Sequence, residues 1–408
     1  MTTAVTAVFL LTYALIVSRR LRLLPIGRPA GALAGAVLMI AIGALSPVES
    51  YEAIDHDTIV LLFGTMALTV YLERAGFFDW LAIRIISVCP TGISFLFGTV
   101  LLSGALSALL VNDTVCLFLT PVIISACRTG GLPMGPYLIA LATSANIGSA
   151  ATLVGNPQNM IIGSMSGFSF SSFFLFAGPA AAAGLIVNSG LLWVYYRRQL
   201  TGRMLKIPPT NGIKDRSRFF LTLLVTGGVI AGFFAGLHLG YTAVAGAVIL
   251  VVADRRDPRD VFSRVDWSLL LFFCCLFIVV AGLAKTGIIE RTWRISAPYF
   301  VLSETSGLAS FSALVTFGSN LISNVPMVML TGPHLHELGS VDLGWVLLAF
   351  VSTIAGNFTL LGSVANIIVA ERAREVYSLG FREYLRFGVP STILVLAVGV
   401  SVIYLLMR

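Results

Sequence analysis

Of 408 residues, 57% are hydrophobic and 11% charged, and the mean hydropathy is +0.94. Soluble domains carry about a quarter of their residues as charges, so a water-soluble fold is excluded. The net charge of +7 sits in a few connecting loops, a distribution that sets membrane topology and argues against nucleic acid as a partner.

The first apolar run, residues 3–17, has no basic residue before it and Arg19, Arg20, Arg22 and Arg28 after it. That order reverses a signal peptide and predicts a retained transmembrane helix. Further runs at 30–45, 58–73, 136–167, 170–196, 218–237, 241–253, 266–282, 344–370 and 385–407 bring the predicted crossings to ten, five in each half of the chain. The longest polar connection, 197–218, carries Arg197, Arg198, Arg203, Lys206, Lys214, Arg216 and Arg218 against Asp215 alone. By the positive-inside rule it is cytoplasmic. Counting outward puts both termini outside, Arg255, Arg256, Arg259, Arg264, Arg372, Arg374, Arg382 and Arg386 inside, and Glu49, Glu52, Asp55 and Asp57 outside. Lys285, Arg291, Arg294 and Arg408 are the exceptions. Lys285 with Glu290, and Glu73 with Arg74, read as interfacial anchors. The cysteines, Cys89, Cys116, Cys127, Cys274 and Cys275, lie in or beside apolar runs and read as reduced core residues.

Three stretches of the first half return in the second in the same order. Residues 59–80 are echoed by 269–290, residues 109–121 by 320–333, and residues 144–162 by 352–369, at separations of about 207 to 211 residues. Five crossings per half is an odd number, so the second copy enters the membrane from the opposite side and the halves are inverted repeats.

Two pairs of apolar runs have no polar loop between them that could surface. Residues 94–111 and 115–127 are joined at Asn112, Asp113 and Thr114, and residues 306–322 and 326–335 at Ser323, Asn324 and Val325. Both read as re-entrant hairpins whose tips meet near the midplane, because irregular backbone at that depth survives only where protein or water satisfies it. The crossings 136–167 and 344–370 are interrupted by Gly148, Gly155 and Pro157 and by Gly356 and Gly362, among many Ser, Thr and Asn residues. Such sequences suit broken helices that line a binding site. The fold class is therefore an all-α polytopic membrane protein with inverted five-crossing repeats, two re-entrant hairpins and two broken helices. Asp113 is the one acidic residue of 19 that no loop or membrane edge accommodates. A carboxylate at that depth needs a cation or a proton, although Asp is also a preferred helix cap.

The polar tips at 112–114 and 323–325, with the G-x-P-x-N and G-S-x-x-N turns at 155–159 and 362–366, resemble the ion transporter superfamily over nearly the whole chain. That group holds divalent anion/sodium symporters, citrate transporters, arsenite efflux permeases and a branch of sodium/proton antiporters. Asp113, where the symporters carry Asn, resembles the arsenite permeases and antiporters more than the dicarboxylate carriers, and Val325 removes one hydroxyl from the second tip.

The resemblance implies a secondary transporter of a small anion (carboxylate or inorganic oxyanion) or neutral arsenite, coupled to Na+ or H+ and working as an elevator in a homodimer of the inner membrane. Asp113 is the expected coupling residue, with Asn112, Thr114, Ser144, Asn146, Ser323, Asn324, Ser352, Thr353 and Asn357 around the coupling ion. Asn156, Pro157, Asn159, Thr359, Ser363 and Asn366 join both tips in the expected substrate site. The expected division is a first repeat, 1–196, with scaffold 1–90 and transport part 91–196, a basic linker 197–217, and a second repeat, 218–408, with scaffold 218–300 and transport part 301–408. No cofactor is predicted beyond Na+ as coupling ion. His334, His336 and Glu337 read as a solvated loop, since two histidines alone make a poor metal site. A sodium/proton antiporter of the same fold is the first alternative. A membrane-embedded enzyme is a remote one, because G-x-S-x-G, H-E-x-x-H and phosphate-loop patterns are missing from the sequence.

Overall fold

A computed structural model describes residues 1–18, 27–202, 213 and 215–408; Arg19, Arg20, Arg22, Arg203, Lys206 and Lys214 of the predicted topology lie outside the described residues. The first half runs through α1 (Thr2–Ser18), α2 (Arg28–Ala41), α3 (Pro47–Glu52), α4 (His56–Arg74) and α5 (Phe77–Val88). A hairpin of α6 (Gly92–Leu109) and α7 (Asn112–Gly130) follows, then an interrupted helix, α8 (Met134–Ser149) and α9 (Pro157–Ser166), and the long α10 (Phe170–Leu200). The second half repeats the order with α11 (Arg216–Phe234), α12 (Leu239–Asp254), α13 (Arg259–Phe262), α14 (Trp267–Ala284) and α15 (Ile288–Ser296). Its hairpin is α16 (Thr305–Ile322) and α17 (Asn324–Thr331), its interrupted helix α18 (Val341–Ala355) and α19 (Val364–Ala373), and α20 (Phe381–Met407) ends the chain. Among the described residues, six helices are long and apolar enough to cross a membrane, or seven if the 65° bend between α4 and α5 falls within one span. The six include α6 and α7, both legs of the first hairpin, so helix length alone does not count crossings.

Helix starts follow local chemistry. Asp55 accepts the Thr58 amide at 2.7 Å to begin α4, and Asp266 accepts the Leu269 amide at 2.9 Å to begin α14. α5 and α15 begin at Gly76 and Gly287, whose φ of 80° and 70° is the left-handed turn that glycine adopts without strain. These two helices are additions to the ten crossings and two hairpins read from the sequence. At 12 and 9 residues they are too short to register as spans.

The hairpin tips also differ from the expectation. The link between α6 and α7 is the extended pair Leu110 and Val111, while Asn112, Asp113 and Thr114 form the first turn of α7. In the second hairpin Ser323 alone makes the link, at φ 77°, and Asn324 and Val325 open α17. The physical reason is that a helix start leaves its first N–H groups without intrahelical partners. The polar residues mark that start rather than a loop.

The halves interlock by exchange. α4 packs on α12 as α14 packs on α2, and α7 packs on α19 as α17 packs on α9. The ion pairs do the same at the helix ends. Lys285 Nζ lies 2.6 Å from Glu49 Oε1 of α3, and Arg264 Nη1 lies 3.0 Å from Glu73 Oε2 at the end of α4. The hydrogen bond from Lys285, with the Ser46 cap, holds the Glu49 carboxyl down at about 2. Lys285 and Glu73 are thus ties between the halves, paired with Glu49 and Arg264 rather than with Glu290 and Arg74; as exposed pairs they set geometry more than stability. All five cysteines are unpaired thiols.

The first hairpin and the first interrupted helix touch backbone to backbone. A Cβ on Gly148 of α8 would strike the carbonyl of Gly104 on α6. Gly148→Ala should therefore cost about 1–3 kcal/mol as overpacking, seen as a lowered unfolding temperature in detergent, whereas Gly190→Ala, which meets open space, should leave it unchanged.

Candidate functional site

Each interrupted helix restarts on a polar residue set against a glycine. Asn156 caps α9 by accepting the Asn159 amide at 2.9 Å, and Pro157 supplies the preset first helical residue. Gly155 sits so close to the first hairpin that a Cβ would come within 2.8 Å of the Ser107 carbonyl. Its own carbonyl accepts the Asn112 amide at 2.9 Å, which ties the hairpin tip to the break. The freed carbonyls of the two breaks are satisfied in the same way. Asn159 Nδ2 donates to Ser149 O (3.3 Å) and Thr152 O (2.9 Å), and Asn366 Nδ2 donates to Gly356 O (2.8 Å) and Thr359 O (3.1 Å). The two asparagines occupy equivalent positions of the two repeats and perform one duty.

Asn146 is the hub of a buried amide network. Its Oδ1 accepts from Asn112 Nδ2 (2.9 Å) and Ser363 Oγ (3.0 Å), and its Nδ2 donates to Asn357 Oδ1 (2.8 Å) and Asn366 Oδ1 (3.0 Å). It is 2% exposed. This one side chain joins the first hairpin, α8, the second break and α19. A second node forms around Thr353, which accepts from Asn156 Nδ2 and Gln158 Nε2, each at 3.2 Å, and donates to Asn159 Oδ1 at 3.4 Å. The nodes are exchanged copies. Ser363 before α19 reaches Asn146 on α8, and Asn156 before α9 reaches Thr353 on α18. At the second tip, Asn324 Oδ1 is buried without a partner among the described residues.

Asp113 lies beside this network, 8% exposed. Its amide donates to Asn112 Oδ1 at 2.9 Å. Among the described residues its carboxylate makes no hydrogen bond or ion pair. The capping role expected for an Asp here is absent: Val111 is the residue before α7, and no side chain caps that helix.

The structure gathers Asn112, Asn146, Asn156, Asn159, Thr353, Asn357, Ser363 and Asn366 into one bonded cluster, with Asp113 and Asn324 at its edges. Three expected residues point elsewhere. Ser352 bonds its own helix at Ala349 O (3.3 Å), and Ser144 accepts from Asn188 Nδ2 on α10 (2.9 Å). Thr359 bonds Asn320 Oδ1 at 3.4 Å, behind the second break. Asn188 and Asn320 went unselected in the sequence. Asn188 is fully buried in an apolar helix and takes Ser391 of α20 on its Oδ1 at 2.8 Å; a lone amide inside a long apolar run was the available signal. His334 departs from the solvated loop expected of it, because it stacks on Trp293 with ring centroids 5.5 Å apart.

Two cavities flank the bundle. One of about 660 Å³ is lined by Arg74, Asp254 and Arg218 and shares no residue with the cluster. The other, about 460 Å³, runs from Arg28, Asp266, Glu371 and Arg374 to Leu360, Leu361 and Val364 at the second break. It is the cavity that approaches the cluster, and its charged lining residues are Arg28, Asp266, Glu371 and Arg374.

The profile of the citrate transporter family matches residues 13–355. The chain belongs to the citrate transporter family. Within the ion transporter superfamily it is similar to the silicon efflux transporter LSI3 of Oryza sativa subsp. japonica, 35% identical over 93% of each chain. It is also similar to the putative transporter arsB of Dictyostelium discoideum, 32% identical over 94% of this chain and 88% of that one. The solved YdaH transporter of Alcanivorax borkumensis shares its fold with a TM-score of 0.55 over 98% of both chains, at 14% identity.

This citrate transporter family member is therefore a multi-pass membrane transporter and not an enzyme. Its amide hub yields a direct test. Asn146→Ala strips partners from Asn112, Asn357, Ser363 and Asn366, and each buried group left unpaired costs about 1–3 kcal/mol. The variant should unfold at a much lower temperature in detergent, while Ser352→Ala, which loses only a bond to its own helix, should match the parent.

Proposed function

We propose that the chain exports a small hydroxylated inorganic acid, of the silicic or arsenous acid type, in exchange for a proton carried by Asp113. The observation that carries this reading is the makeup of the cluster: amides and hydroxyls at the starts of α7, α9, α17 and α19, one carboxylate without a partner, and no Lys or Arg among the bonded residues. Helix starts present partial positive charge and N–H donors. Neutral side-chain amides donate and accept, which suits a species bearing several hydroxyls. A full anion such as citrate would meet no formal counter-charge there. The silicon efflux activity named for the rice relative agrees with this choice.

Asp113 fits the coupling role because its carboxylate lacks a partner, and a charge buried in a membrane protein is costly unless neutralised. Proton and substrate then compete: protonation of Asp113 favours release, and its ionisation favours rebinding from the cytoplasm. The 460 Å³ cavity opens beside Arg28 and Arg374, which the positive-inside rule assigns to the cytoplasm. That supports a state open to the inside, with both termini outside and the linker 197–217 cytoplasmic.

The exchanged contacts support inverted repeats. Glu49 pairs with Lys285 and Glu73 with Arg264, so elements in equivalent positions of the two halves tie opposite ends of the molecule together. This also accounts for Lys285, a topological exception in the sequence, since its partner belongs to the acidic outer stretch. The division into scaffold (1–90 and 218–300) and transport part (91–196 and 301–408) assigns both hairpins and both interrupted helices to the moving body. An elevator movement in a homodimer of the inner membrane follows from the family resemblance.

The test is a proteoliposome assay with silicic acid, arsenite and citrate under separate pH and Na+ gradients. A gradient of one pH unit is worth about 1.4 kcal/mol per proton and so should drive about tenfold accumulation of silicic acid or arsenite at one-to-one coupling. Asp113→Asn should keep downhill exchange and lose accumulation. Accumulation driven by Na+ alone, or by citrate in preference to the neutral acids, would overturn the reading; proton-driven Na+ movement without added substrate would favour an antiporter.

A further inference from the structure

Serine and threonine inside a helix ordinarily donate to the carbonyl four residues back. Thr65, Thr69, Thr99, Ser103, Thr120, Thr143 and Thr222 all do so here, at 2.6–2.8 Å. On the first helix of the second hairpin Ser310 keeps the habit, donating to Ser306 O at 2.8 Å, but three other hydroxyls do not. On α16 the hydroxyls of Ser312, Thr316 and Ser319 are buried and make no hydrogen bond among the described residues. Spacings of four and three residues place them on one face. Beyond them, at the inner end, Asn324 Oδ1 is likewise buried and unpartnered. Thr316 is 7%, Ser319 1% and Asn324 9% exposed.

The first hairpin differs at two of its buried hydroxyls. Counted from the first residue of each helix, Thr99 and Ser103 of α6 stand where Ser312 and Thr316 stand on α16. Thr99 and Ser103 close onto Phe95 O (2.8 Å) and Thr99 O (2.7 Å). Two hydroxyls of the first hairpin are thus closed by their own helix and Ser107 is left open, whereas all three on this face of the second hairpin are open. Each orphaned hydroxyl is unfavourable where it stands, and three in file along α16, continued by the Asn324 amide at the start of α17, form a polar strip.

The strip also has two defined ends. α16 packs on α18, and their inner ends meet where Asn320 Nδ2 donates to Ala355 O at 3.0 Å. Their outer ends meet where Leu302 approaches Gly344. Glu304 precedes α16 and Asp342 stands in the first turn of α18. These are the only carboxylates of the packed helices: α16 and α17 contain no titratable side chain, and His334, His336 and Glu337 follow α17 at that same outer end. A strip without ionisable groups, entered beside acids and ending at the substrate cluster, suits passage of protons along hydroxyls and water.

We propose that the Ser312–Thr316–Ser319 face of α16 is a hydrated seam through which protons pass between the outer mouth at Glu304 and Asp342 and the cluster at Asn324. The proposal rests on the reading of Asp113 as a proton carrier and adds the route. It makes the halves unlike in function: substrate enters by the cavity at Arg28 and Arg374, and protons enter by the second hairpin.

Thr316→Val and Ser319→Ala test it in proteoliposomes, with an entrapped pH dye reporting proton movement and labelled arsenite reporting exchange at equal pH on both sides. Both substitutions remove a hydroxyl that has no partner, so the unfolding temperature in detergent should hold or rise. Proton movement coupled to arsenite should fall at least about tenfold while equal-pH exchange is kept, and Thr316→Ser should restore it. Retention of both activities would overturn the seam. So would an equal loss of both, which marks a packing role. Asp113→Asn run alongside separates the two ideas: coupling that survives that variant defeats the carrier reading, and the seam is judged on its own variants.

Discussion

A helix that stops inside hydrocarbon frees amide and carbonyl groups that no water is there to receive, and every one must find a protein partner. That requirement organises this molecule. Asn159 and Asn366 take the freed carbonyls of the two breaks, Gly155 lends its carbonyl to the hairpin start, and Asn146 collects four partners from across the bundle. The same residues that make the interruptions tolerable present the amides and hydroxyls from which a binding site is made. Structural need and recognition chemistry share one set of side chains, so loss of a hub amide affects both.

Exchange between the halves solves a second difficulty. A single half would strip the second leg of each hairpin of one packed neighbour. Because α7 is completed by α19 and α17 by α9, each break is roofed by the other copy. The two copies have nevertheless diverged where chemistry differs. Asp113 follows the first helical residue of α7, and Val325 follows that of α17. One tip retains an ionisable group and the other an unpartnered amide. Copies held together by matching hydrogen bonds can change at the positions those bonds do not use.

Much of this was legible in the sequence because polar residues are scarce in it. Asn112, Asn146, Asn159 and Asn366 stand out in apolar surroundings, and the repeat separation carries each to a counterpart. The short interfacial helices α5 and α15 were not legible, since neither is long enough to appear as a span. The direction of individual hydroxyls was also hidden: Ser352 and Thr353 are neighbours, yet Ser352 turns back on its own helix and Thr353 faces the cluster. Asn188 escaped notice because its partners, Ser144 and Ser391, come from helices far apart in the chain. Helix phase and long-range pairing decide such cases, and neither is written in composition.

The contact between Gly104 and Gly148 has a mechanical corollary. Two backbones in direct touch leave no layer of side chains to shear, so the first hairpin and α8 form one stiff block. Any conformational cycle must displace that block intact.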